Sequence, residues 1–314
     1  MTIAFIFPGQ GSQAVGMGKS LAEQFPAARA VFSEVDDALS QKLSTVMFEG
    51  PLEELTLTAN AQPALMAASL AVLRVLEAEA GLSIGRDAAF VAGHSLGEYS
   101  ALAAAGALTV ADAARLLRIR GDAMQKAVPA GEGAMAALLG AELDLARAIA
   151  ADAAQGEVCE AANDNGGGQV VLSGAKAAVD RAILLAGERG VRRAMLLPVS
   201  APFHCALMQP AAAVMRDALA QVELKAPAVP VMANVGAAPL SDPDAIRASL
   251  VAQVTGTVRW RECVLAMAAA GVTEFIELGS GKVLAGLVKR IVAGGATMSV
   301  GTADDVAAYK ARSN

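Results

Sequence analysis

The sequence predicts an α/β protein built on a parallel sheet and interrupted by a smaller unit of different element order. Three observations carry this prediction. Short apolar runs alternate with longer segments of helical spacing. The pattern changes register near Pro129-Ala130-Gly131-Glu132-Gly133 and resumes after Pro198. At 314 residues, with 55% hydrophobic and 18% charged side chains, the chain has enough apolar surface for one large or two modest cores, which excludes a disordered chain.

The elements follow in order. Ile3 to Phe7 is a short apolar run ending at Pro8-Gly9, which suits a buried strand entering a tight loop. Ala27 to Leu39 and Ala64 to Glu79 carry helical spacing. Ala88 to Ala92 is a second strand, followed at once by Gly93-His94-Ser95-Leu96-Gly97. Ser100 to Lys126 reads as helix, a break near Leu108-Thr109, and helix again. Between positions 129 and 198 the expected order is strand 134–139, helix 143–153, strand 158–162, turn 164–168, strand 170–172, helix 175–187 and strand 194–197. That β-α-β-β-α-β succession is the ferredoxin-like order. Afterwards come a strand over 229–233, helices over 249–254 and 263–270, and a strand over 275–278. The small unit, 129–198, is thus expected as an insertion in a larger unit formed by 1–128 and 199–314.

Composition removes several functions. The formal net charge is −6 and no Lys/Arg run occurs, which speaks against nucleic-acid binding. The mean hydropathy of +0.47 raises the question of a membrane span. The longest segment free of Lys, Arg, Asp and Glu, 194–215, contains Pro198, Pro202, Pro210 and His204, and 56–73 is broken by Asn60, Gln62 and Pro63. Neither is expected to cross a membrane. The N-terminal run lacks a basic leader and is too short for a signal peptide, so a cytoplasmic protein is expected. Three scattered cysteines and two histidines suggest neither a disulfide framework nor a metal site.

Chemistry concentrates at Gly93-His94-Ser95-Leu96-Gly97. A Gly-x-Ser-x-Gly element between a strand and a helix fits a nucleophile elbow, whose glycines leave room for a sharp turn. The turn exposes the Ser95 hydroxyl and aims helix N-terminal amides, including that of Leu96, at an adjacent oxyanion. The competing reading is a plain glycine-rich β–α turn. A serine nucleophile needs a base. His94 is adjacent to Ser95 and should point away on a sharp turn, which leaves His204 as the one imidazole free to reach it. No acid stands out as a third member; Gln253 or a backbone carbonyl are the candidates to orient the ring. The loop Gly9-Gln10-Gly11-Ser12-Gln13-Ala14 loosely fits a dinucleotide pattern. It could equally present a backbone amide or Gln10 beside Ser95. Among Arg115, Arg118 and Arg120, the first two share a helical face and Arg120 points elsewhere. An inward arginine would make a carboxylate receptor.

Taken together, the chain resembles the malonyl-CoA:acyl carrier protein transacylases of fatty-acid synthesis. The resemblance rests on Phe7-Pro8-Gly9-Gln10-Gly11-Ser12-Gln13, Gln62-Pro63-Ala64, Gly93-His94-Ser95-Leu96-Gly97-Glu98-Tyr99 and Arg120-Gly121-Asp122-Ala123-Met124-Gln125. It continues through Ala162-Asn163-Asp164-Asn165, Pro202-Phe203-His204, Val258-Arg259-Trp260 and Glu277-Leu278-Gly279-Ser280-Gly281-Lys282. It implies an α/β-hydrolase-like core with a ferredoxin-like insertion, Ser95 as nucleophile and His204 as base. It implies backbone amides of Gln10 and Leu96 as the oxyanion hole, and Arg120 as receptor for the malonyl carboxylate. Gln253, Phe203 and Asn163 would lie at the substrate. The implied substrates are malonyl-CoA and a phosphopantetheinylated acyl carrier protein, with no cofactor, and Lys282, Lys289 and Arg290 are candidates to meet the acidic carrier. Thr257 stands where many relatives carry proline. The alternatives are a serine esterase or thioesterase on the same elbow, and a non-catalytic dinucleotide or CoA binder using the Gly9–Ala14 loop.

Overall fold

The computed structural model describes residues 2–313. Among these residues ten strands form two sheets: β1 (Ile3–Phe7), β2 (Phe90–Gly93), β3 (Gly133–Leu139), β4 (Cys159–Gly166), β5 (Gln169–Ala175), β6 (Arg193–Leu196), β7 (Val231–Ala233), β8 (Ala238–Leu240), β9 (Glu274–Leu278) and β10 (Ala296–Val300). The larger sheet has the order β10-β9-β1-β2-β7-β8. Its pairings are parallel except for β8, which runs antiparallel to β7. The chain is therefore an α/β protein on a mostly parallel sheet.

The central strand explains why Ile3–Phe7 is continuously apolar. Phe5 and Phe7 pack into one core, while Ala4 and Ile6 pack into another with Trp260, Phe275 and Leu287. A strand covered on both faces has no position left for water. The helix Thr58–Ala80 fills the first core and is buried over nearly its whole length. By length and hydropathy it could cross a membrane, but 89% of its most apolar window is buried inside the protein. The break expected at Asn60, Gln62 and Pro63 does not occur. Pro63 lies near the N-terminal end, where little helix precedes it, and Asn60 and Gln62 donate to the Glu54 carbonyl and the Thr58 hydroxyl.

The smaller sheet has the order β4-β5-β3-β6, antiparallel throughout. Helices Leu143–Ala154 and Lys176–Glu188 cover one face through Ala146, Ile149, Val179 and Ala182. Met135, Ala137, Ala162 and Val171 turn the other face to the main core. Strand β4 runs on to Gly166, past the turn expected at 164, and contains two register shifts. It is also bridged to the large unit: the Val258 amide donates to the Ala162 carbonyl at 2.8 Å, and the Asp164 amide to the Val258 carbonyl at 2.9 Å. The sequence reading did not anticipate β8, β10, or the helices Gln209–Ala220 and Ala303–Ser313. In the first of these helices Pro210 sits in the opening turn, where it starts a helix rather than ending one.

Candidate active site

The site starts from the elbow. β2 ends at Gly93 and the helix Gly97–Ala104 begins four residues later. A Cβ on Gly93 would lie 1.9 Å from the Gly97 carbonyl carbon, and one on Gly97 would lie 2.3 Å from the Phe7 carbonyl oxygen. Backbone occupies both places, so only glycine fits. Ser95 sits between them at φ +54°, a left-handed conformation that costs a non-glycine residue about 1 kcal/mol or more. Asn234 holds it there: its Oδ1 accepts from the Ser95 amide at 2.8 Å, and its Nδ2 donates to the Gly93 carbonyl at 2.8 Å.

The two histidines part as the turn geometry predicts. His94 Nε2 lies 2.8 Å from Asn165 Oδ1, and burial lowers its pKa. His204 lies on a loop at φ +58°, with Nε2 2.7 Å from Ser95 Oγ. Its Nδ1 lies 2.8 Å from the backbone carbonyl of Gln253. A carbonyl only accepts, so the neutral ring carries its proton on Nδ1 and leaves Nε2 to accept from Ser95. Burial, then the nearby Arg120 cation, pull His204 down to about 3, so the ring is neutral at physiological pH.

Arg120 is 2% exposed and no carboxylate of the described residues lies within ion-pair distance. Neutral acceptors hold its fork: Nη1 donates to Gln62 Oε1 at 2.7 Å, and Nη2 to Gln253 Oε1 at 2.9 Å and Ser95 Oγ at 3.1 Å. Its Nε has no partner. Arg115 and Arg118 instead bond Asp112 and Gln41. A cavity of about 410 Å³ opens onto Ser95, His204 and Arg120, and Gln10, Leu96, Asn163 and Phe203 also line it. The amides of Gln10 and Leu96 make no hydrogen bond among the described residues. Gln253 does not line the cavity. It lies behind Arg120 and the elbow, fully buried. The Gly9–Ala14 loop does not open a helix, as a dinucleotide site would require; the next helix begins at Lys19.

Residues 4–305 match the acyl transferase domain family. The chain belongs to that family. A malonyl CoA-acyl carrier protein transacylase of Bacillus subtilis (strain 168) is 47% identical over 290 residues, 92% of this chain and 90% of its own length. The crystal structure of an acyl-carrier-protein S-malonyltransferase from Bartonella henselae superimposes with a TM-score of 0.97 at 57% identity, covering 100% of this chain and 99% of that one. A malonyl-transacylase in complex with its type II polyketide acyl-carrier protein superimposes at 0.95 with 40% identity, covering 99% and 100%. All three are named for acyl transfer and none for hydrolysis.

Within this acyl transferase fold, three residues around the site escaped the sequence reading: Asn234, Gln62 and Glu98. Gln62 stands in the Gln-Pro-Ala segment, but nothing in the letters signals that it holds an arginine. Thr257, placed where relatives carry proline, ties its loop by donating to the Ala161 carbonyl at 2.7 Å. Among the described residues no group of three or more His, Cys, Asp or Glu is arranged to hold a metal ion.

Proposed function

We propose that this acyl transferase moves a malonyl group from malonyl-CoA to the phosphopantetheine thiol of an acyl carrier protein, through a malonyl-serine at Ser95. The observation that carries the choice of acyl group is Arg120: a buried guanidinium, without a carboxylate partner, 3.1 Å from Ser95 Oγ. A malonyl thioester has its free carboxylate one methylene from the reacting carbonyl, so a receptor must sit this close to the nucleophile. The relatives' names agree with the transfer.

In the first half-reaction His204 Nε2 takes the Ser95 proton as Oγ attacks the thioester carbonyl. The amides of Gln10 and Leu96 hold the oxyanion, each donor worth about 3 kcal/mol. The carbon–sulfur bond breaks and the CoA thiolate takes the proton from His204. In the second half the carrier thiol gives its proton to His204 and attacks the ester. The carbon–oxygen bond breaks and Ser95 regains the proton. Arg120 fixes the carboxylate throughout, while Asn163 and Phe203 shape the walls. No cofactor takes part.

The larger sheet, with its serine elbow at the carboxyl end of a parallel strand, supports an α/β-hydrolase-like catalytic unit of 1–128 and 199–314. The order β4-β5-β3-β6 around two helices supports a ferredoxin-like insertion over 129–198. For the carrier, Lys282, Lys289 and Arg290 form an exposed basic group on an acidic protein, with Arg290 resting on Gln169 of the small sheet. The supply of fatty-acid or polyketide elongation in the cytoplasm completes the reading. Intact mass after malonyl-CoA tests it. Wild type should gain one malonyl group, lose it to added carrier protein and keep it in water alone. Ser95→Ala should gain none, and a malonyl adduct on that variant refutes the assignment.

A further inference from the structure

The mechanism leaves unused a buried acid beside the elbow. Glu98 follows Ser95 by three residues, in the first turn of the helix Gly97–Ala104, and is 1% exposed. We propose that Glu98 is a positioning residue for the transfer, a buried acceptor that ties the serine elbow to the segment whose backbone carbonyl orients His204. The proposal rests on the reading of His204 as the base for Ser95.

The contacts make the case. Glu98 Oε2 accepts two bonds, from the Asn234 amide at 3.1 Å and from Gln253 Nε2 at 2.8 Å. Its two partners are the residues that build the reacting pair. Asn234 clasps the elbow through Gly93 and Ser95. Gln253 Nε2 also donates to the Ser95 carbonyl at 3.0 Å, its Oε1 accepts from Arg120, and its backbone oxygen accepts from His204 Nδ1. The Glu98 carboxyl bonds neither Ser95 nor His204; only its backbone amide meets Ser95, donating to the carbonyl at 3.1 Å in the first helical turn. In a Ser-His-Asp triad the acid holds the imidazole directly; here a carbonyl holds it, and the acid holds the residue that carries that carbonyl.

The contacts also say how Glu98 works. Both bonds fall on one oxygen, so the task needs an acceptor at a fixed reach. The charged or ionisable groups facing it are Arg120 from the helix Val110–Lys126, Tyr99 beside it and Cys263 from the helix Trp260–Ala269, and none forms an ion pair with it. Burial pushes the carboxyl up to about 7, so both protonation states are present near neutral pH and the clamp must hold in either.

Two variants separate reach from charge. Glu98→Gln keeps the acceptor at full length and removes the charge; Glu98→Asp keeps the charge and retracts the acceptor by one methylene. The measurements are the rate of malonyl-enzyme formation at saturating malonyl-CoA, the KM for malonyl-CoA, and the ring ¹H–¹⁵N spectrum, which contains only two histidines. Melting curves check folding. For Glu98→Asp the acylation rate should fall about tenfold to a hundredfold with KM nearly unchanged, and the His204 Nδ1–H signal should shift or vanish. For Glu98→Gln the rate and the signal should stay near wild type. A wild-type rate and signal in Glu98→Asp overturns the proposal, and so does an equal loss in both variants. Should Glu98→Asp not fold, a fall beyond about tenfold in Glu98→Gln is enough to overturn it. Wild type that never forms a malonyl adduct would refute the parent reading instead, which keeps the two failures distinct.

Discussion

In the proposed assignment, Arg120 couples recognition to chemistry through one side chain. Its cation lowers the basicity of His204, second only to burial. On that assignment, a substrate carboxylate on the guanidinium would offset that charge and make His204 a better base when the right acyl group is present. Acetyl-CoA lacks the carboxylate and forgoes both effects. Arg120→Ala should therefore cost malonyl-CoA at least about a hundredfold in kcat/KM relative to acetyl-CoA, since truncating one partner of a buried charge pair costs about 3 kcal/mol or more. In the same variant the His204 ring should titrate at higher pH by NMR. An unchanged malonyl-to-acetyl ratio rules out the receptor role. The sequence put Arg120 on a different helical face from Arg115 and Arg118, which spacing alone supports. Its inward direction was not legible, because the acceptors that draw it in, Gln62 and Gln253, lie 58 and 133 positions away.

At the scale of elements, the elbow is a turn with no room for a side chain at either of its glycines. The Gly97 position meets the Phe7 carbonyl and Gly93 meets the first turn of the next helix, and backbone has nowhere to retreat. Gly97→Ala should lower unfolding free energy by about 3 kcal/mol or more in urea, beyond the usual cost of a single substitution. A variant within about 1 kcal/mol of wild type would show that the strand–helix contact is looser than described. The elbow was legible because its demands are local and written in consecutive letters. The small sheet was legible because strand and helix periods differ. Its two register shifts in β4, which lie next to cavity-lining Asn163 and the His94 partner Asn165, follow no period. Asn234 was invisible for a related reason: a single polar residue 139 positions from Ser95 leaves no pattern in sequence.

At the scale of the whole molecule, the site is a set of groups that folding buries at a cost, and stability should record this as a function of pH. Burial and Arg120 hold His204 at about 3 in the folded chain, against 6.5 for a free imidazole. Its contribution to stability is full above 6.5 and is lost as pH falls toward 3. Glu98 acts in the opposite sense, because burial raises it from 4.5 to about 7. Its contribution is full below 4.5 and is lost as pH rises through 7. Between about 4.5 and 6.5 the two slopes oppose one another, each about 1.4 kcal/mol per pH unit. Buried His94 adds to the first slope and buried Glu277 to the second. Wild-type stability should therefore change little across this window. Glu98→Gln removes one arm of the balance, so its stability relative to wild type should rise with pH. His204→Gln removes the other, and its relative stability should fall. Urea titrations at pH 5 and pH 6 measure both differences. Curves that run parallel to wild type in both variants would mean that these groups ionise as freely folded as unfolded, which the closed, mutually bonded site described above does not permit.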